Sequence, residues 1–340
     1  MFPFRSFSEE DTSSASQRQS LKRPPALLIW IGLPAFIILL AWLFNGYRGG
    51  VYELPLRVWL DALVNWLITN FAVVFSSIKN ITAVALNNFE KFLLWLPWWA
   101  VLMLIMSFAW RLAGPRVAIF SVAGMYLILI LGLWDLSMGT LALIATAVLI
   151  SNALGIPLGI LAARSDRLES ILRPTLDAMQ TMPAFVYLIP ALMFFGIGRV
   201  PGVIACVIYG LPPAVRLTNL GIRQVPPELV EAALAFGSTR TQLLVKVQLP
   251  LALPSILAGV NQTIMLSLGM VVLAAMIAAG GLGREVLLSL GQVEIGRGFV
   301  AGISIVVLAM VLDRITQALG KKRKDVRSVQ PRERAETKEH

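Results

Sequence analysis

Residues 226–250 read PPELVEAALAFGSTRTQLLVKVQLP and form a polar, charge-bearing segment between two strongly apolar regions. We call residues 226–250 the island. No charged residue occurs between Val247 and Gly283, on its C-terminal side. A charge at the centre of a lipid bilayer costs about 2.5–3.5 kcal/mol. We therefore expect the island to lie in water or against another protein.

The local sequence of the island predicts two short helices joined by a tight turn. Two prolines favour the start of the first helix, and acidic side chains complement its positively polarised N-terminal end. Gly237 predicts a left-handed cap at the C-terminal end of this helix. Thr239 and Gln242 have the spacing of a capping box, which opens the second helix, and Pro250 is predicted to end it.

The whole chain has the composition of a membrane protein. Of its 340 residues, 57% are hydrophobic and only 14% are charged, whereas a soluble domain carries about 25% charged residues. Several apolar runs approach the roughly 20 residues that cross a bilayer. The single cysteine is Cys206 and the single histidine is the last residue, His340, so metal binding through these side chains is not expected. We predict an all-α polytopic membrane protein.

About eight spans are predicted, with both termini in the cytoplasm. Residues 1–25 are predicted to be a disordered cytoplasmic tail, and residues 320–340 a basic one. Residues 26–44 form an uncleaved anchor, with a cleaved signal peptide as the alternative. The remaining spans cover residues 92–110, 117–134, 136–163, 175–195, 200–215, 251–279 and 299–319. Basic clusters in the loops then all face the cytoplasm, which explains the net charge of +10 better than nucleic-acid binding does.

Residues 45–91 are predicted to form amphipathic helices in the membrane interface. Arg57, Asp61 and Asn65 recur at four-residue steps and therefore share one helical face, while tryptophan and leucine side chains occupy another. This pattern is typical of a helix that lies at the level of the lipid headgroups. A single marginal span over residues 58–75 is the alternative.

The chain lacks the residues that would drive transport by itself. It contains no G-x-x-x-x-G-K-[ST] sequence, the loop that binds the phosphates of ATP. Asp135, Asp177 and Asp313 lie near predicted span ends rather than in a mid-membrane proton relay. Pairing with Arg173 or Arg314 is the simpler interpretation of these carboxylates. We expect the energy to come from another subunit that docks on the island.

The island resembles a motif of known transporters. It reads Glu-Ala-Ala, three residues, Gly, nine residues, and then Val-x-Leu-Pro. This resembles the EAA motif of ABC importer membrane subunits, from which it departs only by Val where Ile is usual. The matching positions are Glu231, Ala232, Ala233, Gly237, Val247, Leu249 and Pro250. Over residues 136–319 the chain also resembles the permeases of glycine betaine/proline betaine importers, in segments 177–187, 195–198, 224–226, 246–250, 258–262 and 280–283.

This resemblance implies a type I ABC importer transmembrane fold over residues 92–319, with a coupling loop at residues 216–250. It implies that the coupling loop sits in a groove of a cytoplasmic ABC ATPase dimer, which holds ATP and Mg, with no cofactor on this chain. It further implies a separate extracytoplasmic substrate-binding protein, a second permease copy as homodimer partner, and a location in the cell (inner or plasma) membrane. Catalytic residues and metal ligands are not expected here.

A quaternary ammonium head cannot donate hydrogen bonds and is held by aromatic faces, each worth about 0.5–2 kcal/mol. Aromatic and amide side chains on the core spans are therefore candidates for the translocation path, with helix packing as the alternative for each. They are Gln180, Thr181, Phe185, Tyr187, Phe194, Phe195, Tyr209, Asn261, Gln262 and Thr263.

The positions of the prolines predict which helices line the translocation path. Pro183 and Pro190 are predicted to break one span, and Pro212 and Pro213 the next. Such breaks occur where the backbone faces protein or a cavity. Residues 175–216 thus form the predicted pore-lining hairpin, with span 251–279 opposite. The glycines at the outer end of that span form either a flexible gate or a plain turn; they are Gly280, Gly281 and Gly283.

Two other classes of function compete with this interpretation. An ion-coupled secondary carrier would need no ATPase and would lose uptake when the proton or sodium gradient collapses. An integral-membrane enzyme would need convergent acid, base or nucleophilic groups, which the scattered carboxylates and one terminal histidine do not supply. Within the transporter family, choline, carnitine or a sulfonate are alternatives to a betaine as the substrate.

Overall fold

The computed structural model describes residues 34–36, 38–40, 42–43 and 55–321, and these residues contain no β-strand. The helices are α1 Leu56–Asn70, α2 Ala72–Trp95, α3 Trp98–Ala113, α4 Pro115–Ile130, α5 Trp134–Arg164, α6 Asp166–Thr181, α7 Leu188–Phe195, α8 Arg199–Arg223, α9 Pro227–Ala235, α10 Arg240–Ala275, α11 Gly281–Gln292 and α12 Ile295–Lys321. The two predicted tails and most of the anchor at 26–44 lie outside the described residues.

Helix α8 packs between α5 and α10 at the centre of the core. The three helices approach closely because glycines lie at their contacts. A Cβ atom added at Gly155 would lie 2.6 Å from the Cβ of Ala214, and one at Gly259 would lie 3.1 Å from the carbonyl oxygen of Pro213. Small residues at helix contacts are the usual basis of packing in membranes, where lipid tails supply no hydrophobic driving force between helices.

Four helical stretches are long and apolar enough to cross a membrane, namely α5, α8, α10 and residues 295–318 of α12. The count rises to six if the helix pairs α1–α2 and α6–α7 each form one bent span. Helices α3 and α4 are apolar but have only 16 residues each. The predicted count of about eight thus depends on these two short helices and on the anchor.

The predicted span at 175–195 is not one straight helix. Helices α6 and α7 meet at an angle of 111° across a break, which contains a 3₁₀ turn at Ala184–Tyr187. Met182 has extended backbone, with ψ of 135°, as expected for a residue that precedes a proline. Pro190 lies in the first turn of α7, where a proline needs no hydrogen-bond donor. Of the two prolines, Pro183 alone marks the break.

The prediction that Pro212 and Pro213 break the next span is wrong. Helix α8 continues through both prolines from Arg199 to Arg223, about two turns beyond the predicted end at residue 215. Both prolines are buried in this helix, which α5 and α10 flank. Neighbouring helices keep a proline-containing helix intact in this way.

Helix α2 packs against α5, α7 and α8, with Thr82 and Leu86 buried. The ring of Phe75 stacks on that of Phe194, with centroids 4.6 Å apart. The backbone is not one continuous helix over residues 58–75, because α1 ends at Asn70 and α2 begins at Ala72. The placement of residues 45–91 in the membrane interface stays a prediction.

Candidate functional site

The first helix of the island lies where the sequence predicts it. Helix α9 begins directly after Pro226 and is followed by Gly237, whose φ is 78°. The amide of Gly237 donates to the carbonyl of Leu234 at 2.9 Å, and the amide of Ser238 donates to that of Ala233 at 3.0 Å. These two bonds form a Schellman motif, so the predicted left-handed cap is confirmed.

The second helix also begins as predicted but does not end there. The amide of Gln242 donates to the hydroxyl of Thr239 at 3.3 Å, and the side-chain oxygen of Gln242 accepts from the amide of Thr239 at 2.9 Å. This confirms the capping box. Pro250, however, does not end the helix, because α10 runs on to Ala275. Residues 243–248 are π-helical, and this wider turn accommodates a proline that cannot donate a hydrogen bond.

The coupling residues divide into an outward and an inward group. Glu231, Ala232, Gly237 and Pro250 are exposed and Ala233 is half-buried. In contrast, Val247 and Leu249 are half-buried on the π-helical side. Leu249 packs on the small apolar cluster that contains Ile222, Leu244, Ala252 and Ile256. The motif therefore presents α9 to the surroundings and anchors α10 to the membrane helices.

Helix α9 displays apolar side chains on its surface. Phe236 is 92% exposed, the largest value for a large hydrophobic side chain among the described residues, and Leu229 and Leu234 are 45% and 48% exposed. These side chains give the exposed, polar segment an apolar surface. The rigid caps on both sides of Gly237 hold this surface in a fixed orientation.

Several candidate path aromatics are engaged in packing. Tyr187 is buried, and its hydroxyl donates to the carbonyl of Met179. Its ring lies 5.6 Å from that of Tyr209, which is partly exposed. Phe195 is buried and contacts Phe75, which also stacks on Phe194. These contacts hold α2, α7 and α8 together.

Other path candidates remain accessible. Gln180 and Thr181 at the end of α6 are exposed, and Phe185 just after the break is 53% exposed. Gln262 on α10 is also exposed. Thr263 is buried and donates to the carbonyl of Gly210 at 2.9 Å, which joins α10 to α8. The candidates that helix packing leaves exposed are thus Gln180, Thr181 and Phe185 near the 111° break and Gln262 on α10.

Asn261 connects α10 to α12. Its side-chain amide donates to Asp313 at 3.1 Å, and its side-chain oxygen accepts from the hydroxyl of Thr316 at 2.5 Å. These bonds match the helix-packing alternative. Asp313 also accepts from Gln317, and it is not paired with Arg314 as the sequence suggested. Similarly, the partner of Asp177 is Arg216 on α8 rather than Arg173.

The glycines after α10 form a packed turn. Gly280 and Gly281 have φ of 80° and 68°. The amide of the following Leu282 donates to the hydroxyl of Thr140 on α5 at 2.8 Å. A Cβ atom at Gly283 would lie 2.5 Å from the carbonyl oxygen of Val271. This close packing favours the turn over the gate, and the turn leads into α11, a helix that the sequence analysis did not predict.

Among the described residues, no group of three His, Cys, Asp or Glu side chains is placed to hold a metal ion. The site candidates that stay exposed are α9 of the island and side chains near the break between α6 and α7.

Comparisons with known proteins place this arrangement in a family. The family model described as "Binding-protein-dependent transport system inner membrane component" matches residues 155–325. The chain is 48% identical over 268 residues to the glycine betaine/proline betaine transport system permease protein ProW of Escherichia coli (strain K12), covering 79% of this chain and 76% of that one. It is 52% identical over 275 residues to the glycine betaine/carnitine transport permease protein GbuB of Listeria monocytogenes, covering 80% and 97%.

A third relative is the glycine betaine transport system permease protein OpuAB of Bacillus subtilis (strain 168), 48% identical over 80% of this chain and 96% of that one. Among solved structures, the inward-facing MetNI methionine ABC transporter is similar with a TM-score of 0.47 at 22% identity, over 55% of this chain and 92% of that one. The chain belongs to the family of binding-protein-dependent transport system inner membrane components, the multi-pass permease subunits of ABC importers.

Proposed function

We propose that this permease carries glycine betaine, proline betaine or a closely related quaternary amine, and that the ATPase drives it through α9 of the island. The substrate class is supported by relatives that are about half identical in sequence and are named for glycine betaine. Carnitine is a second candidate, because GbuB is also named for it.

One observation carries the proposed role of the island. Phe236 is 92% exposed directly after the short helix α9, at a turn formed by a Schellman motif and followed by a capping box. An apolar side chain in this position fits a groove on the ATPase. Ala232 and Ala233 have little bulk, so a partner surface can approach the backbone of α9, and Glu231 supplies a charge for pairing.

The proposed transporter contains two permease chains, each with one island for one ATPase subunit. ATP and Mg bind to the ATPase dimer, and a separate extracytoplasmic protein delivers the substrate. Closure of the ATPase dimer around ATP brings the two islands together. The membrane helices then change from an inward-open to an outward-open packing, a rigid-body transition of the kind found at subunit interfaces.

Uptake into liposomes tests this function. The vesicles hold the permease with its ATPase, and the binding protein is added outside with labelled glycine betaine. We expect uptake that requires internal ATP and is reduced by unlabelled proline betaine. Competition by carnitine, choline and proline ranks the substrates. Uptake that persists without ATP, or that collapses with an ion gradient, would contradict the proposal.

A further inference from the structure

An arginine just before the island joins the ends of three helices. Arg223 is the last residue of α8 and precedes the island. Its guanidinium donates to the carbonyl of Ala162 at the end of α5 (3.0 Å), to Asp166 (2.7 Å) and to the side-chain oxygen of Asn219 (3.0 Å), and it pairs with Glu169 (3.0 Å). The group thus joins the ends of α5 and α8 to the first turn of α6.

The corner between α5 and α6 also contacts the second helix of the island. Arg164, the last residue of α5, donates to the carbonyl of Arg240 at 3.4 Å, and Arg240 is the first residue of α10. Ser165 then caps α6, since its hydroxyl accepts from the amide of Leu168 at 3.3 Å. The corner between α5 and α6 is therefore hydrogen-bonded to Arg223, which precedes α9, and to Arg240, which follows it.

The solvent exposure of these charged side chains indicates which ion pair contributes most to holding the helices together. The side chains of Arg223 and Glu169 are 32% and 30% exposed, whereas that of Asp166 is 91% exposed. A pair in water contributes little because solvent screens it. The half-buried pair of Arg223 with Glu169 is thus the main ion pair between α8 and α6 near the island. The side-chain amide of Asn219 also donates to Glu169 at 3.4 Å, and the bond to Ala162 holds Arg223 to α5.

Packing alone does not link these two helices near the island. A cavity of about 300 Å³ lies between them and is lined by Leu172 and Leu176 of α6 and by Leu220 of α8. The second polar link, Arg216 with Asp177, lies on the far side of this cavity, toward the break at Pro183. Near the island, side-chain bonds therefore connect α8 to α6 beside this cavity.

We propose that Arg223 is a positioning residue that transmits movement of the island to α6. Because α6 ends at the 111° break, beside the exposed Gln180 and Phe185, its displacement changes the position of the candidate solute contacts. The role in transport rests on the proposed function. The mechanical link between Arg223 and α6 does not.

Arg223→Lys tests the proposal, because lysine keeps the charge but loses the planar fork that bonds several acceptors. The matched control is Arg297→Lys. Arg297 makes a similar set of bonds, to Glu285 (2.6 Å), Glu294 (3.2 Å) and Gln292 (3.4 Å), between α11 and α12. Hydrogen exchange of the full chain in lipid nanodiscs is measured first, without any partner.

We expect exchange of the amides in residues 166–172 to rise about tenfold in Arg223→Lys, since these amides lose a stabilising cross-link, and to stay unchanged in Arg297→Lys. In the assembled transporter, the number of substrate molecules carried per ATP should fall about threefold for Arg223→Lys. Adding Glu169→Gln should cause no further fall, because both changes remove the same ion pair and the glutamine oxygen can still accept from Asn219.

Unchanged exchange in residues 166–172 of Arg223→Lys would overturn the link itself. Raised exchange with an unchanged ratio of substrate to ATP would show that the link does not transmit movement, which also overturns the proposal. Wild-type vesicles without ATP-dependent uptake would instead contradict the proposed function, and the exchange measurement would still decide whether Arg223 holds α6.

Discussion

The island at 226–250 and the hairpin at 175–216 both contain prolines and glycines, yet these residues affect the helices differently in the two regions. In the island, Gly237 and the Thr239–Gln242 box set the turn as their local chemistry predicts. In the hairpin, Pro183 breaks the helix but Pro212 and Pro213 do not. Local rules thus set the exposed turn at Gly237, whereas neighbouring helices keep the buried prolines of α8 helical.

The island and the hairpin also differ in which of their apolar side chains remain exposed. The island keeps its apolar side chains outside, with Phe236 almost fully exposed. The hairpin uses most of its aromatic side chains for packing, as in the pair of Tyr187 and Tyr209. The difference is consistent with the proposed function, in which the island meets a protein partner and the exposed candidates Gln180, Phe185 and Gln262 are left for the solute.

The largest effect is expected for Gly237→Val. Valine at φ of 78° costs about 1–2 kcal/mol and would rearrange the Schellman turn. We expect uptake to fall by about tenfold or more, since an altered turn reorients α9. Gly132→Val is the matched control, because Gly132 has φ of 71° and, like Gly237, no described atom within 4 Å of an added Cβ.

The control should lower the melting temperature to a similar degree but retain uptake per assembled complex. Equal losses of uptake in both variants would show that the turn at Gly237 has no special role in uptake.

A substitution at a closely packed glycine among the membrane helices should lower the stability of the protein rather than the coupling of uptake to ATP hydrolysis. In Gly283→Ala the new methyl group would lie 2.5 Å from the carbonyl oxygen of Val271, which costs about 1–3 kcal/mol as overpacking. Gly291→Ala is the control on the same helix, because no described atom lies within 4 Å of its added Cβ. Thermal unfolding in detergent should separate the two, and equal melting temperatures would contradict the packed-turn interpretation.

Substitutions of two neighbouring amide side chains on α10 distinguish a role in helix packing from a role in the translocation path. Asn261→Ala removes bonds to Asp313 and Thr316 and should destabilise the protein by about 1–2 kcal/mol. Gln262→Ala should leave the melting temperature unchanged, and a raised KM for uptake would place Gln262 in the path. A larger stability loss for Gln262→Ala than for Asn261→Ala would reverse this assignment.

The smallest effect is expected for Phe236→Ala. The side chain is 92% exposed, so its loss should not change the stability of the isolated permease. We expect the affinity for the ATPase to fall by about 1 kcal/mol, measured by titration in nanodiscs. Leu290→Ala is the control, since Leu290 is 70% exposed on α11, outside the island. Equal affinities of both variants would remove Phe236 from the docking surface.

The predictions from sequence were most complete where the determining contacts are local. The capping residues Thr239 and Gln242 lie three residues apart, and the bonds of the Gly237 turn join neighbours in the chain. The apolar runs likewise located α5, α8, α10 and α12. The continuation of α10 past Pro250 was missed, because a π-helical segment leaves no simple sequence pattern.

The remaining differences arise from contacts between distant residues. The partner of Asp177 is Arg216, 39 positions away, and that of Asn261 is Asp313, 52 positions away. A single sequence does not show such pairs. Helix α11 was missed because Gly281 and Gly283 disfavour a helix start on their own, whereas here they allow close approach to Thr140 and Val271.

The most direct test of the central claim measures ATP hydrolysis and uptake in the same vesicles for Glu231→Lys. The claim is that energy enters this permease through α9. In complexes shown to contain both subunits, we expect ATP hydrolysis to continue while uptake falls by about tenfold or more, because reversing the charge disturbs the contact with the ATPase. Uptake and its coupling to ATP that match the unaltered protein would contradict the claim.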